Sequence, residues 1–257
     1  EASEPLARLS PTLFRRDPLF RFFPGRPLDL TLGLLLQAVI SGLLLGGVYG
    51  LVATGLTLIF GVLRIINFAH GAVMMLGMYA SYWLFTLAGV DPYVSILLTG
   101  PLFFLLGAGI QAAIIEPNRD AAEHNQLLLT LGLALFLENL ALVLWQADYR
   151  SLRVSYGGAA FTLGDALVQV PRLVACGFAI VMALALYAFL RWTDVGKAIR
   201  ALAEEFEGAL LMGINVRRIR AVAFGIGAAC VGVAGSLVTP FFYVAQDVGE
   251  TFNIMAF

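Results

Sequence analysis

Three groups of polar residues interrupt a chain that is otherwise poor in reactive side chains. The first is Arg64-Ile-Ile-Asn67-Phe-Ala-His70-Gly71. Asn67 and His70 bring hydrogen-bonding groups, and Gly71 permits an unwound backbone. The second is Glu138, followed by Asn139. The third is Gln37 with Thr54 and Thr57, whose hydroxyls suit bonds to their own helix backbone and mark no site. His70 and Glu138 are the couple that an enzyme inside a membrane would use for acid–base chemistry. No nucleophile motif, metal-ligand spacing or cofactor fingerprint accompanies them, so no catalytic residue and no metal site is expected. Cys176 and Cys230 lie in apolar runs and read as small buried hydrophobes.

The surroundings of these groups decide what they do. The 257 residues are 60 % hydrophobic, with a mean hydropathy of +0.88. Only 13 % are charged, about half the usual ~25 % of a soluble domain. This composition excludes disorder, a coiled coil and a nucleic-acid binder with a basic surface, and it argues against a soluble enzyme. The net charge of −1 offers no global attraction to a charged partner. Formal charge is absent from 30–63, 65–90, 92–115, 124–137, 139–147, 173–190 and 221–246. A membrane helix needs about 20 apolar residues. Six segments follow, approximately 32–60, 66–88, 93–115, 127–145, 172–190 and 221–244. None alternates with the period of two that barrel strands require. The expected fold is all-α, a polytopic transmembrane bundle of six or seven segments over 30–257. A separate tail, 1–29, precedes it.

That tail alternates Arg8, Arg15, Arg16, Arg21 and Arg26 with aromatic and leucine residues, and five prolines prevent one long helix. It reads either as a loose tail or as a segment at the lipid boundary. The stretch 191–220 holds six of the sixteen bases and is expected on the cytoplasmic side. Counting back through single crossings puts the Arg-rich tail outside, against the same rule. Half-helices broken near Asn67 and Gly71, making three passes of 32–88, would reverse that parity.

At membrane depth the first polar group reads in two ways. It is a broken helix lining a translocation path, or a short surface loop with His70 capping a helix. Asn67, His70, Gly71 and Glu138 are the candidate path residues. A carboxylate within the bilayer costs several kcal/mol, so Glu138 must face the interior and find a donor or a proton. Asn67, His70 and a helix N-terminus are its candidate partners. Small residues four apart, Gly42/Gly46/Gly50, Gly225/Ala229 and Ala228/Gly232, favour close helix packing in lipid.

Outside the apolar runs, one amphipathic element is predicted over about 193–213. Thr193 suits an N-cap and Asp194 the first turn. Val195, Ile199, Leu202, Phe206 and Leu210 form one apolar stripe, with Lys197, Arg200, Glu204 and Glu207 opposite. Gly213 is placed to end the helix and Asn215 to cap the next. Near balance of charge favours docking into a soluble partner over adhesion to lipid.

The run from Gly55 to Gly71, with its Asn67-Phe-Ala-His70-Gly71 core, resembles the LivH-type permease of bacterial branched-chain amino-acid ABC importers. So do Gly196-Lys-Ala-Ile-Arg-Ala, the block from Glu207 to Gly213, and the glycine-rich stretch from Gly225 to Gly235. The resemblance covers about 33–257. In that family the second block is the coupling loop, with the pattern Glu-Ala-Ala-x-x-x-Gly. Glu207, Ala209 and Gly213 fit it, and Gly208 replaces the first alanine. Arg200 and Glu204 join them as expected ATPase-coupling residues. The N-tail is longer than the family shows, and the resemblance implies further helices beyond Phe257. It also implies a bacterial inner-membrane location and four partner chains besides the lipid bilayer: a LivM-like second permease subunit, two ABC ATPases and a periplasmic substrate-binding protein. No cofactor is expected in this chain. ATP and Mg would enter through the ATPases, since no Gly-x-x-x-x-Gly-Lys-[Ser/Thr] loop surrounds Lys197, the sole lysine. Two competing functions are an autonomous channel or facilitator for small neutral or zwitterionic solutes, and an intramembrane enzyme using His70 and Glu138. Within the resembled family, urea, amides or aromatic acids are alternative cargoes to leucine, isoleucine and valine.

Overall fold

The computed structural model describes residues 32–256, apart from 164 and 165. The expectations placed on 1–29 lie outside the described residues. Nine α-helices are described: α1 (Leu32–Leu63), α2 (Ala69–Ala88), α3 (Pro92–Ile110), α4 (Glu123–Trp145), α5 (Val170–Trp192), α6 (Asp194–Glu204), α7 (Phe206–Leu211), α8 (Val216–Val238) and α9 (Val248–Ala256). Six are long and apolar enough to cross a membrane, and the chain is an all-α polytopic membrane bundle. A small antiparallel hairpin, β1 (Ala160–Leu163) and β2 (Ala166–Gln169), pairs Ala160 with Gln169 between α4 and α5. Residues 32–88 make two candidate spans rather than three. The reason is that α1 is continuous and the break falls after it, at Arg64, whose φ of 55° is left-handed.

Helix ends follow local chemistry. The Asp91 carboxylate accepts from the Tyr93 N–H at 2.9 Å, with Pro92 in the first turn of α3. The same carboxylate accepts from the Tyr156 hydroxyl at 2.7 Å. Burial and that bond hold the Tyr156 pKa above the ordinary tyrosine range. The α3 helix leaves the bundle through a π-turn, Gln111–Ile115, and a 3₁₀ turn, Glu116–Asn118.

The axis of the bundle is α8. Its apolar window is 78 % buried, against 22 % for α3 and for α5. Apolar attraction between helices is weak in lipid, so close backbone approach must do the work. A Cβ on Gly77 would lie 2.6 Å from the Gly232 carbonyl oxygen, and one on Gly225 2.8 Å from that of Phe104. The row on α8 therefore packs as its spacing predicts. The row on α1 does not: Gly42, Gly46 and Gly50 face open space, because that side of α1 points away from the rest of the chain.

The single amphipathic helix predicted over 193–213 is two helices. Glu205 is extended (φ −144°, ψ 104°) and separates α6 from α7. The stripe breaks with it. Ile199 and Leu202 are buried against Val62, Ala209, Val216 and Ile219, whereas Phe206 and Leu210 are exposed. The caps hold: Thr193 Oγ1 accepts from the Gly196 N–H at 3.0 Å, and Asn215 Oδ1 from the Arg218 N–H at 3.1 Å. Gly213, at φ 74°, turns the chain after α7 in a conformation that disfavours side chains.

Candidate functional site

The segment between α1 and α2 alternates between exposed and buried residues, with Arg64, Ile66 and Phe68 exposed. Ile65 and Asn67 are buried. The Thr130 hydroxyl of α4 donates to the Ile66 carbonyl at 3.0 Å, and Asn253 Nδ2 of α9 donates to the Phe68 carbonyl at 3.2 Å. Side chains from two other helices thus satisfy carbonyls that lipid would leave unpaired. Asn67 Oδ1 accepts from the Ala69 N–H at 3.1 Å and so fixes the start of α2. His70 is buried, and its Nε2 lies 3.1 Å from the Val52 carbonyl of α1. A carbonyl only accepts, so Nε2 carries the hydrogen. His70 caps no surface loop, since it is buried. It braces α2 against α1.

Gly71 and Glu138 are brought together. Both line a cavity of about 300 Å³ formed by the start of α2, the middle of α4 and α9. Glu138 lies about 22 Å along α4 from Glu123 and about 10 Å from Trp145, at ~1.5 Å per residue. It makes no hydrogen bond to the predicted partners Asn67 or His70. Its neighbours across the cavity are Glu250, in the first turn of α9, and Asn253. A Cβ on Gly71 would collide with the Gly249 carbonyl, so glycine is what lets α9 lie against α2. Sequence reasoning missed Glu250 and Asn253. Their signal was an acid and an amide in the apolar tail Val248-Gly-Glu-Thr-Phe-Asn253.

Away from this cavity, the coupling candidates occupy the α6–α7 elbow. Arg200, Glu204 and Glu207 are exposed, Ala209 is buried, and Gly213 forms the turn. The elbow also exposes apolar surface, with Leu211 at 87 % and Met212 at 82 %. Arg220, at the start of α8, ties it to the bundle. Its guanidinium lies 5.2 Å from the Phe206 ring and 4.0 Å from the buried Glu116 carboxylate. Glu116 also accepts from Gln111 Nε2 at 3.1 Å and pairs with Arg119 at 3.3 Å. Hydrogen bonding to Asp120 raises the Arg119 pKa. Among the described residues, no group of three or more potential metal ligands occurs.

The family described as branched-chain amino acid transport system, permease component, matches residues 38–257. The high-affinity branched-chain amino acid transport system permease protein LivH of Escherichia coli strain K12 is 30 % identical over 242 residues. That match covers 86 % of this chain and 76 % of the relative. The chain belongs to this family. LivH of Salmonella typhimurium shows the same identity and coverage. The BraD permease protein of Pseudomonas aeruginosa is 28 % identical over 236 residues, with 86 % and 76 % covered. These relatives are transport permeases, and this permease-family chain is a multi-pass membrane protein. No solved structure matches it significantly.

Proposed function

We propose that this chain is one permease subunit of an ATP-driven importer for branched-chain or related amino acids in a bacterial inner membrane. A second permease subunit would complete the path, a periplasmic binding protein would deliver cargo, and two ATPases would supply ATP and Mg. The observation that carries this reading is the α6–α7 elbow. Leu211 and Met212 stand exposed, next to Glu207 and Gly213, on the loop richest in bases. An apolar knob outside the spans favours a protein partner. Beneath it, Ile199 and Leu202 pack on Val62 at the foot of α1, so displacement of the elbow reaches a spanning helix directly. ATP binding then shifts the bundle by favouring one of its two states.

The test is the co-expressed importer in liposomes. Leu211→Glu combined with Met212→Glu is expected to release the ATPases on purification and cut leucine uptake at least tenfold. Leucine flux by this chain alone, without ATP and unchanged in the double variant, would overturn the importer and favour the facilitator.

A further inference from the structure

The cavity between α2, α4 and α9 has an uneven chemistry. One wall is apolar, with Phe68, Leu131 and Leu135. The other presents Glu138, Glu250 and Asn253. Asn253 is 8 % exposed, and its amide nitrogen is already committed to the Phe68 carbonyl. Its Oδ1 is buried and has no partner. An ionised carboxylate only accepts, and so does this amide oxygen. The polar wall is thus a set of acceptors with no donor facing it. Buried polar groups are seldom left in that state. Glu138 is half-buried on the spanning helix α4, where a carboxylate is costly unless a cation or a proton joins it, and Glu250 adds a second, exposed carboxylate to the same wall.

We infer that this cavity is a cargo site whose Glu138, Glu250 and Asn253 Oδ1 together hold a primary ammonium group, with a branched alkyl chain against Phe68, Leu131 and Leu135. An ammonium has three N–H donors and no acceptor, which matches three acceptors in one wall. A volume of about 300 Å³ is at the lower end of the roughly 300–1,000 Å³ of small-molecule sites and suits a single amino acid. The same two carboxylates repel the carboxylate of the cargo. That group must point to the open side of the cavity. This assignment rests on the permease reading for its cargo, but the ammonium chemistry is testable without it.

Two readouts separate the two ideas. ATP-dependent leucine uptake by the intact importer tests the permease reading, and its absence would sink that reading alone. The cavity is tested on the same unmutated complex with dicyclohexylcarbodiimide, which attacks carboxyl groups, followed by peptide mass analysis. Saturating 3-methylbutylammonium, which has the amine and the branched chain but no carboxylate, is expected to slow the loss of unmodified Glu138 and Glu250 at least fivefold, with carbodiimide adducts and amides formed by the amine both counted as labelling. The deaminated 4-methylpentanoate is expected to leave it unchanged. Equal labelling with and without the amine would overturn the site. In the uptake assay, Glu138→Gln and Glu250→Gln are each expected to lower leucine uptake at least tenfold in complexes that assemble. Wild-type uptake in both assembled variants would overturn the site as well.

Discussion

Two polar clusters sit beside one another in the bundle, and they differ in what their atoms are doing. Asn67 Oδ1 and His70 Nε2 are committed to the fold. One holds the first turn of α2 and the other holds Val52 of α1. Glu138, Glu250 and Asn253 Oδ1 face a cavity, and Asn253 Oδ1 accepts nothing. The difference teaches that a polar residue inside a membrane protein is not by itself a mark of the transport path. Its hydrogen-bond capacity must be counted first, and only the unspent part is available to cargo.

The strongest way to break the comparison is Gly71→Val, since the second cluster exists only while α9 lies against α2. Its side chain would fall on the Gly249 carbonyl. Overpacking of this kind costs about 3 kcal/mol or more when backbone must move. Protease cleavage at α9 and a clear fall in detergent melting temperature are expected, and an unchanged melting temperature would refute the docking. His70→Ala comes next. Loss of a buried ring and its bond is expected to cost about 2–3 kcal/mol, with leucine KM unchanged in whatever importer assembles. A raised KM at full stability would move His70 into the path. Asn67→Ala removes a cap-type bond and should cost about 1 kcal/mol, read as earlier thermal unfolding without a change in KM. The smallest effect is set outside the spans. Tyr156→Phe deletes the bond to Asp91 and should cost about 0.5–1.5 kcal/mol. Because the Tyr156 pKa is raised on folding, its contribution is complete below pH ~10 and declines as pH rises toward the folded value. The wild type should therefore lose stability above pH ~10 more steeply than the Phe variant.

Much of the membrane architecture was legible because it is written in composition. Charge-free runs of about 20 residues have one physical outcome in lipid, and the six segments reappear with ends shifted by a few residues. Caps were legible for the same reason: Thr193 and Asn215 act on their own next turn. What could not be read was whatever depends on a distant helix. The stripe through Phe206 looked continuous, yet its period cannot reveal that Glu205 breaks the helix and turns Leu210 outward. The two glycine rows look alike in sequence, and only the fold shows that α8 is surrounded while that side of α1 is open. Glu138 was legible as an anomaly. Its neighbours Glu250 and Asn253 lie more than a hundred residues away and come to it only because Gly71 and Gly249 allow α9 to dock.

The contact between Gly55 and Gly227 has a mechanical consequence. A Cβ on Gly55 would lie 2.8 Å from the Gly227 carbonyl, so α1 and α8 meet backbone to backbone there. Val62, at the elbow, is seven residues below this point. Tyr49, whose ring lies 5.1 Å from Phe252 of α9, is six above it. At ~1.5 Å per residue the two arms are each about 10 Å. The helix is thus a balanced lever on a glycine fulcrum: a tilt that draws Val62 one way swings Tyr49 the other by a nearly equal distance, without gearing and without a hinge.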